Sequence, residues 1–142
     1  MVSKKYKSSS HTKHRLLFHL VFRPKYRKRV LRFGLKKRLI ELFKQGCEVN
    51  DWVIHELEIM PDHVHLLIQI NPKDSISNVM KILKGGSSRV VRDEFPELEE
   101  FLWGESFWSD GYFAESVGKA TEHAIRRYIN DQNKQLKRDH GL

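Results

Sequence analysis

The segment 51-DWVIHELEIMPDHVHLLIQI-70 decides the fold. Pro61 and Asp62 interrupt two β-prone runs, so the segment reads as strand, tight turn, strand, and the two strands form an antiparallel pair. Side chains alternate along the second strand, which puts Val64, Leu66, Ile68 and Ile70 on one face and His63, His65, Leu67 and Gln69 on the other. The apolar set has to face a cover of helices. Both histidines therefore stand together on the opposite face, near enough to share one cation. Spacing alone leaves two readings open: a metal-binding pair, or two exposed histidines of a half-polar strand. On the preceding strand Glu56 and Glu58 share a face, either as further donors or as solvated carboxylates. There is no HExxH and no third histidine at helical spacing, so a structural zinc site is poorly supported.

Working outward, "HRLLFHLVFRPKY" (14–26) alternates Leu16, Phe18, Leu20 and Phe22 against Arg15, Leu17, His19 and Val21, a half-buried strand stopped by Pro24. Leu35, Leu39, Leu42 and Phe43 then recur at helical spacing, with Gly46 closing the pattern. Beyond the central pair, "NPKDS" (71–75) is a turn with a cap at Asp74 or Ser75. It leads a helix through Ile76, Val79, Met80 and Leu83 to about Val91. An aromatic stretch, "FPELEEFLWGESFWSDGYF" (95–113), has no clear period and carries Gly104 and Gly111 as breakers. "YFAESVG" (112–118) is a short strand, and a last helix runs from 120 to about 136. The order βαββαβ matches a ferredoxin-like α+β fold, in which an antiparallel sheet carries two helices on one face. The additional C-terminal helix is free to cover the other face. We expect one domain over 1–142, with a flexible basic arm at 1–12 and a frayed tail at 137–142.

The 142 residues include 26 Lys and Arg against 18 Asp and Glu, a formal net charge of +8. Nucleic acid is the first partner to consider and an anionic membrane surface the second. The single cysteine, Cys47, excludes an internal disulfide or a cysteine metal cluster and fits a reducing compartment; it reads as a small filler. The longest apolar run, Leu16 to Phe22, is broken by His19 and is far short of a membrane span. The N-terminus lacks the apolar core of a signal peptide, so a cytoplasmic protein is expected. In the last helix, Ala120, Ala124, Tyr128 and Gln132 form one stripe beside Ile125, Ile129 and Leu136. Helix geometry makes Tyr128 a core or boundary aromatic and Gln132 a solvated residue. Arg126, Arg127, Lys134, Lys137 and Arg138 are either a solvated face or a track for phosphates.

Taken together, "FHLVFRPKYRKRVL", "EIMPDHVHLL", "LKGGSSR", "LWGESFWSDGYF" and "YINDQ" resemble, in that order and over nearly the whole chain, the single-tyrosine HUH transposases of small insertion sequences, the IS200-like TnpA type. The resemblance implies that His63 and His65 are metal ligands, that Tyr128 is the nucleophile, and that Gln132 completes the metal site. It further implies a divalent cation, Mg²⁺ or Mn²⁺, whose charge three neutral ligands leave undiminished. Attack by Tyr128 would produce a 5′-phosphotyrosine and a free 3′-hydroxyl, conserving the bond energy for rejoining. The implied partners are single-stranded DNA with hairpins at the element ends and a second copy of the chain, with the site assembled in cis or in trans.

For DNA contacts we select Lys13, His14, Arg23, Lys25, Tyr26, Arg27, Lys28, Arg29, Lys84 and Arg89. Trp103, Trp108, Tyr112 and Phe113 either stack bases or complete the core and the dimer contact. Gly85 and Gly86 fall within a predicted helix and are read as permitting close backbone approach by a helix or by DNA. Two other functions compete with the transposase. One is a domesticated HUH nuclease acting on genomic hairpins; the other is a ferredoxin-like module that binds nucleic acid without cutting it.

Overall fold

The computed structural model describes residues 7–9, 12–14 and 16–140, with side chains over 16–118 and 123–136. The two segments 51–60 and 63–70 pair as expected: β4 (Val53–Met60) and β5 (His63–Ile70) are antiparallel, with Met60 opposite His63. On the far side of β5 lies β3 (Leu16–Phe22), and beyond it β6 (Phe113–Ser116). All three pairings in this four-stranded sheet, ordered β4-β5-β3-β6, are antiparallel. With α1 (Phe33–Val49) and α2 (Ile76–Glu94) in the connections, this is the ferredoxin-like arrangement, and α4 (Lys119–His140) is the added helix. A short helix, α3 (Glu99–Leu102), sits inside the aromatic stretch.

Alternation sorts the two layers. Leu20, Phe22, Val64, Leu66, Ile68 and Ile70 join Leu35, Leu39 and Phe43 of α1 and Val79, Met80 and Leu83 of α2 in the large core. Leu17 and Leu67, on the reverse face, form a small second cluster with Val117 and, from α4, Ile125. The sheet is thus covered on both faces, but unequally.

The two glycine-containing helices differ from expectation. Gly46 does not end α1, which continues to Val49; a Cβ at Gly46 would stand 3.3 Å from Leu83 Cδ2, so the glycine serves the crossing of α1 on α2. Gly85 and Gly86 meet no described atom within 4 Å, so no described helix makes a close approach there. The neighbouring serines explain the motif better. Ser87 Oγ donates to Leu83 O and accepts the Trp108 indole N–H at 2.8 Å, while Ser88 Oγ accepts the Phe107 amide at 3.0 Å. Trp108 packs edge-on against Phe22 and Phe107, with ring centroids 4.9 and 4.8 Å away. It is buried in the core, whereas Trp103 is 84% exposed. The β-bridge between Pro24 and Trp108 and the bond from the Lys25 amide to Phe107 O tie this segment to the end of β3.

At the N-terminus the expected arm is partly ordered: β1 (Lys7–Ser9) pairs antiparallel with β2 (Thr12–His14). Helix α4 runs beyond 136 to His140, through most of the expected tail; the side chains of 137–140, and residues 141 and 142, lie outside the described residues. Cys47 is buried against the core, and burial pushes its thiol pKa up to about 12. No helix among the described residues is long and apolar enough to cross a membrane.

Because Trp108 fills the large core and also pairs with Ser87, Trp108→Ala is expected to cost about 3–5 kcal/mol of unfolding free energy. Urea denaturation followed by circular dichroism measures it. Trp108→Phe, which keeps most of the ring but removes the indole N–H, should cost clearly less.

Candidate active site

One end of the sheet collects the residues of interest. β3 and β4 finish there while β5 and β6 begin, so Met60, His63, Phe22 with Arg23, and Phe113 follow one another across it. Val21 lies opposite His65 in the β3–β5 ladder, and Glu58 lies opposite His65 on the other side. Glu56, two pairs further along and opposite Leu67, is engaged by Arg126 Nη1 at 3.3 Å.

The histidines are held by carboxylates in two different ways. The His63 Nδ1 is 2.7 Å from Asp62 Oδ1, within the turn itself. His65 Nδ1 is 3.2 Å from His19 Nε2, and His19 Nδ1 is 3.1 Å from Glu115 Oε1 on β6. The His19 and His65 rings lie nearly parallel, with centroids 5.5 Å apart and planes inclined by 7°. His63 and His65 meet edge to face at 4.8 Å, close enough for their outer nitrogens to converge. Burial lowers the His65 pKa to about 4, with His63, His19 and Arg23 acting in the same direction, so the imidazole is neutral at pH 7. Burial alone would raise the Asp62 carboxyl; the hydrogen bond from His63 and the charges of His63, Arg29 and Arg27 overcome it and hold the carboxyl below its usual range.

Helix α4 brings Tyr128 and Gln132 to the same place. Ile129 is fully buried beneath the helix, and Arg126 reaches back to β4, with Nη2 2.9 Å from His55 Nδ1. Those anchors leave Tyr128 on the rim: its ring centroid is 5.9 Å from that of His65, and the residue is 52% exposed, not a core aromatic. Gln132 Nε2 donates to the Tyr128 hydroxyl at 2.6 Å. Its Oε1 is buried without a hydrogen-bond partner, as is His65 Nε2. A proton on His65 would be hydrogen-bonded by Gln132, so the two orphaned atoms face one position; burial and the charges of His63, His19 and Arg23 outweigh that single bond and keep the imidazole neutral. The chemistry of this donor set, imidazole and amide, fits a divalent cation. Among the described residues no group of three or more His, Cys, Asp or Glu side chains could hold a metal. Beside the two imidazoles, Gln132 presents an amide oxygen.

Most of the basic residues selected from the sequence lie along the loop that leaves β3. Arg23, Tyr26, Arg27, Lys28 and Arg29 are exposed, Lys25 is half-buried, and Tyr26 and Arg27 adopt left-handed backbone angles (φ 62° and 51°) that turn the loop at this end of the sheet. Tyr26 donates to Glu105 at 2.8 Å, and Arg27 lies 3.8 Å from Asp62. A cleft of about 460 Å³ gathers Arg23, Arg27, Tyr112 and Phe113 beside the histidines. Lys84 is committed elsewhere, donating to Ser109 O at 2.7 Å and Gly111 O at 3.0 Å. Arg89 lines a separate cleft of about 880 Å³ between α2 and the 106–110 loop. Lys13 and His14 belong to β2, and their side chains lie outside the described residues.

Asp62, His19 and Glu115 were not singled out from the sequence. Alternation does put His19 on the face of β3 opposite its core residues, and only the strand order shows that this is the face of His65.

Comparison with known proteins shows the family. Residues 12–132 match the family model described as "Transposase IS200 like". The transposase for insertion sequence element IS200 of Salmonella typhimurium is 38% identical over 127 residues, covering 89% of this chain and 82% of the relative. ISDra2 transposase TnpA of Deinococcus radiodurans is 34% identical over 120 residues, covering 84% and 86%. A crystal structure from Deinococcus radiodurans, described there as that of a candidate transposase, superposes with a TM-score of 0.74 at 32% identity, covering 89% of this chain and 97% of the other. With the family match running from 12 to 132 and relatives 38% and 34% identical over most of their length, the chain whose α4 sets Tyr128 and Gln132 beside His65 belongs to the IS200-like transposase family.

Proposed function

We propose that this transposase cuts and rejoins single-stranded DNA at insertion-sequence ends through a covalent Tyr128 intermediate, using a divalent cation held by His63, His65 and Gln132. The observation that carries the reading is the pair of buried, partnerless lone pairs on His65 Nε2 and Gln132 Oε1, next to a Tyr128 hydroxyl already hydrogen-bonded by the same glutamine. When bound, Mg²⁺ or Mn²⁺ supplies positive charge that polarises the scissile phosphodiester.

The chain's own residues do the remainder. A carboxylate only accepts, so with both imidazoles of the relay neutral, Glu115 takes the His19 Nδ1 proton and His19 Nε2 in turn accepts from His65 Nδ1. That leaves His65 Nε2 as a lone-pair donor. Asp62 does the same for His63 directly, taking the Nδ1 proton and leaving Nε2 free for ligation. Two carboxylates, one adjacent in sequence and one on a distant strand, thus set the tautomers of both ligands. A protonated phenol is a weak nucleophile. The Gln132 amide N–H, aimed at the Tyr128 oxygen, stabilises the charge that develops there as the proton departs. The tyrosyl oxygen then bonds to phosphorus, the bond from phosphorus to the 3′-oxygen breaks, and that oxygen leaves as a 3′-hydroxyl after taking up a proton. Reversal by another 3′-hydroxyl rejoins the ends without a nucleotide cofactor. Arg23, Arg27, Tyr112 and Phe113 offer cations and exposed rings to the strand beside the cut. Hairpins at the element ends and a second copy of the chain complete the assembly we propose.

Incubation with labelled single-stranded hairpin DNA and Mn²⁺ should give a covalent adduct on a denaturing gel. Tyr128→Phe or EDTA should reduce it by roughly 10³-fold or more; an adduct that survives Tyr128→Phe sinks the mechanism, and retarded DNA with no adduct under any metal identifies a binding module. His19→Phe preserves ring volume and breaks the relay. It is expected to weaken Mn²⁺ binding, measured by electron paramagnetic resonance, by about 10–100-fold while the far-ultraviolet dichroism is unchanged. Undiminished affinity would remove His19 and Glu115 from the site.

A further inference from the structure

A second cleft flanks the histidines on the side away from Tyr112 and Phe113. It has a volume of about 530 Å³ and opens between the start of α1, the β4–β5 turn at Pro61, and Leu136 of α4. The position is tied to the site by covalent neighbours. Pro61 precedes Asp62 and His63 in the same turn, Leu31 donates its amide to Pro61 O at 3.0 Å, and Leu136 stands one helical turn beyond Gln132. The floor is apolar, while the rim carries four cations, Arg29, Arg32, Lys36 and Lys37, and no acidic residue among the described lining.

Phe33 stands at the mouth. The residue is 80% exposed and its backbone is left-handed, with φ 51°. A bulky side chain in that region is strained by about 1–3 kcal/mol. The fold thus spends strain to hold an aromatic ring in water, where burial returns nothing. The Arg32 guanidinium, 5.3 Å from the ring centroid, adds a cation against it. An apolar slot with an exposed ring and an unbroken cationic rim matches one ligand chemistry: a polyanion whose monomers have flat, stackable faces. A flat apolar partner would have to bury Arg32, Lys36 and Lys37 as well as Arg29, the one of the four whose charge acts on Asp62.

We propose that this slot is a single-strand subsite, in which a base stacks on Phe33 and the adjoining phosphates meet Arg29, Arg32, Lys36 and Lys37. The inference rests on the function proposed above and places the DNA more closely. The strand crosses the end of the sheet from Tyr112 and Phe113, past the histidines, to Phe33, so that both sides of the scissile phosphate are gripped by aromatic and cationic groups.

Phe33→Gly is a suitable test because glycine accepts φ 51° without strain, so the fold is kept or stabilised while the ring is lost. Binding of a thymidine oligonucleotide carrying 2-aminopurine is measured in EDTA, where no cutting can interfere. Wild type should quench the probe fluorescence on binding; Phe33→Gly should abolish the quench and weaken binding by about 5- to 100-fold. Lys36→Gln with Lys37→Gln should weaken binding and flatten its salt dependence. If Phe33→Gly binds and quenches like wild type, the slot is not a base site, although cutting through Tyr128 stands. If the wild type binds no single strand, the slot and the proposed function both fall. If Phe33→Gly instead dissociates a dimer in sedimentation with DNA affinity unchanged, the slot joins two copies of the chain and the proposal is overturned.

Discussion

The register of β3 on β5, with Val21 opposite His65 and Phe22 opposite Val64, is the constraint on which the rest depends. A slip of one residue would turn His63 and His65 into the large core and push Val64 and Leu66 out toward α4. What prevents the slip is the size difference between the two faces. Phe22, Leu66 and Ile68 have a full layer of α1 and α2 side chains to enter, whereas the reverse face offers only the small cluster around Leu17 and Leu67. Packing on one side of the sheet thus fixes chemistry on the other. Trp108 extends the same control to the sheet end, because the contacts that seat it between Phe22 and Ser87 also carry the 107–109 backbone against Arg23 and Lys25.

Much of this was legible from the order of residues alone. Period two told the faces of β5 apart, and the turn at Pro61 and Asp62 gave the antiparallel partner. Ser75 does cap α2, accepting the Asn78 amide. What could not be read depends on contacts between distant residues. His19 and Glu115 are separated by most of the chain, and neither sits in a recognisable spacing with His65. Gly46 looked like a helix end because glycine usually punctuates, yet here Leu83 of the crossing helix needs the room. The exposure of Tyr128 escaped helix geometry for a similar reason. Ile129, its neighbour, takes the buried position, and Arg126 fixes the rotation of the helix on β4. The left-handed angle at Phe33 leaves no trace in local composition at all.

Helix α4 differs from α1 and α2 in what holds it. The main core packs those two helices along several turns, while among the described residues α4 is held by Ile125, Ile129 and polar contacts of Arg126 with β4. The Arg126–Glu56 pair is partly exposed and by itself contributes little. The site gains from this division. The two histidines are set by the most strongly packed part of the molecule, and the tyrosine by the least.

The division also follows the order of the chain. Every described residue of the large core lies at or before Trp108, whereas Glu115, Tyr128 and Gln132 all follow it. Synthesis proceeds from the N-terminus, and a domain folds as its core becomes available. A chain synthesised as far as Trp108 therefore already carries the described residues of the large core, with His63 and His65 on β5, before Glu115 or Tyr128 exists. A copy interrupted there keeps those core residues and lacks Glu115, Tyr128 and Gln132.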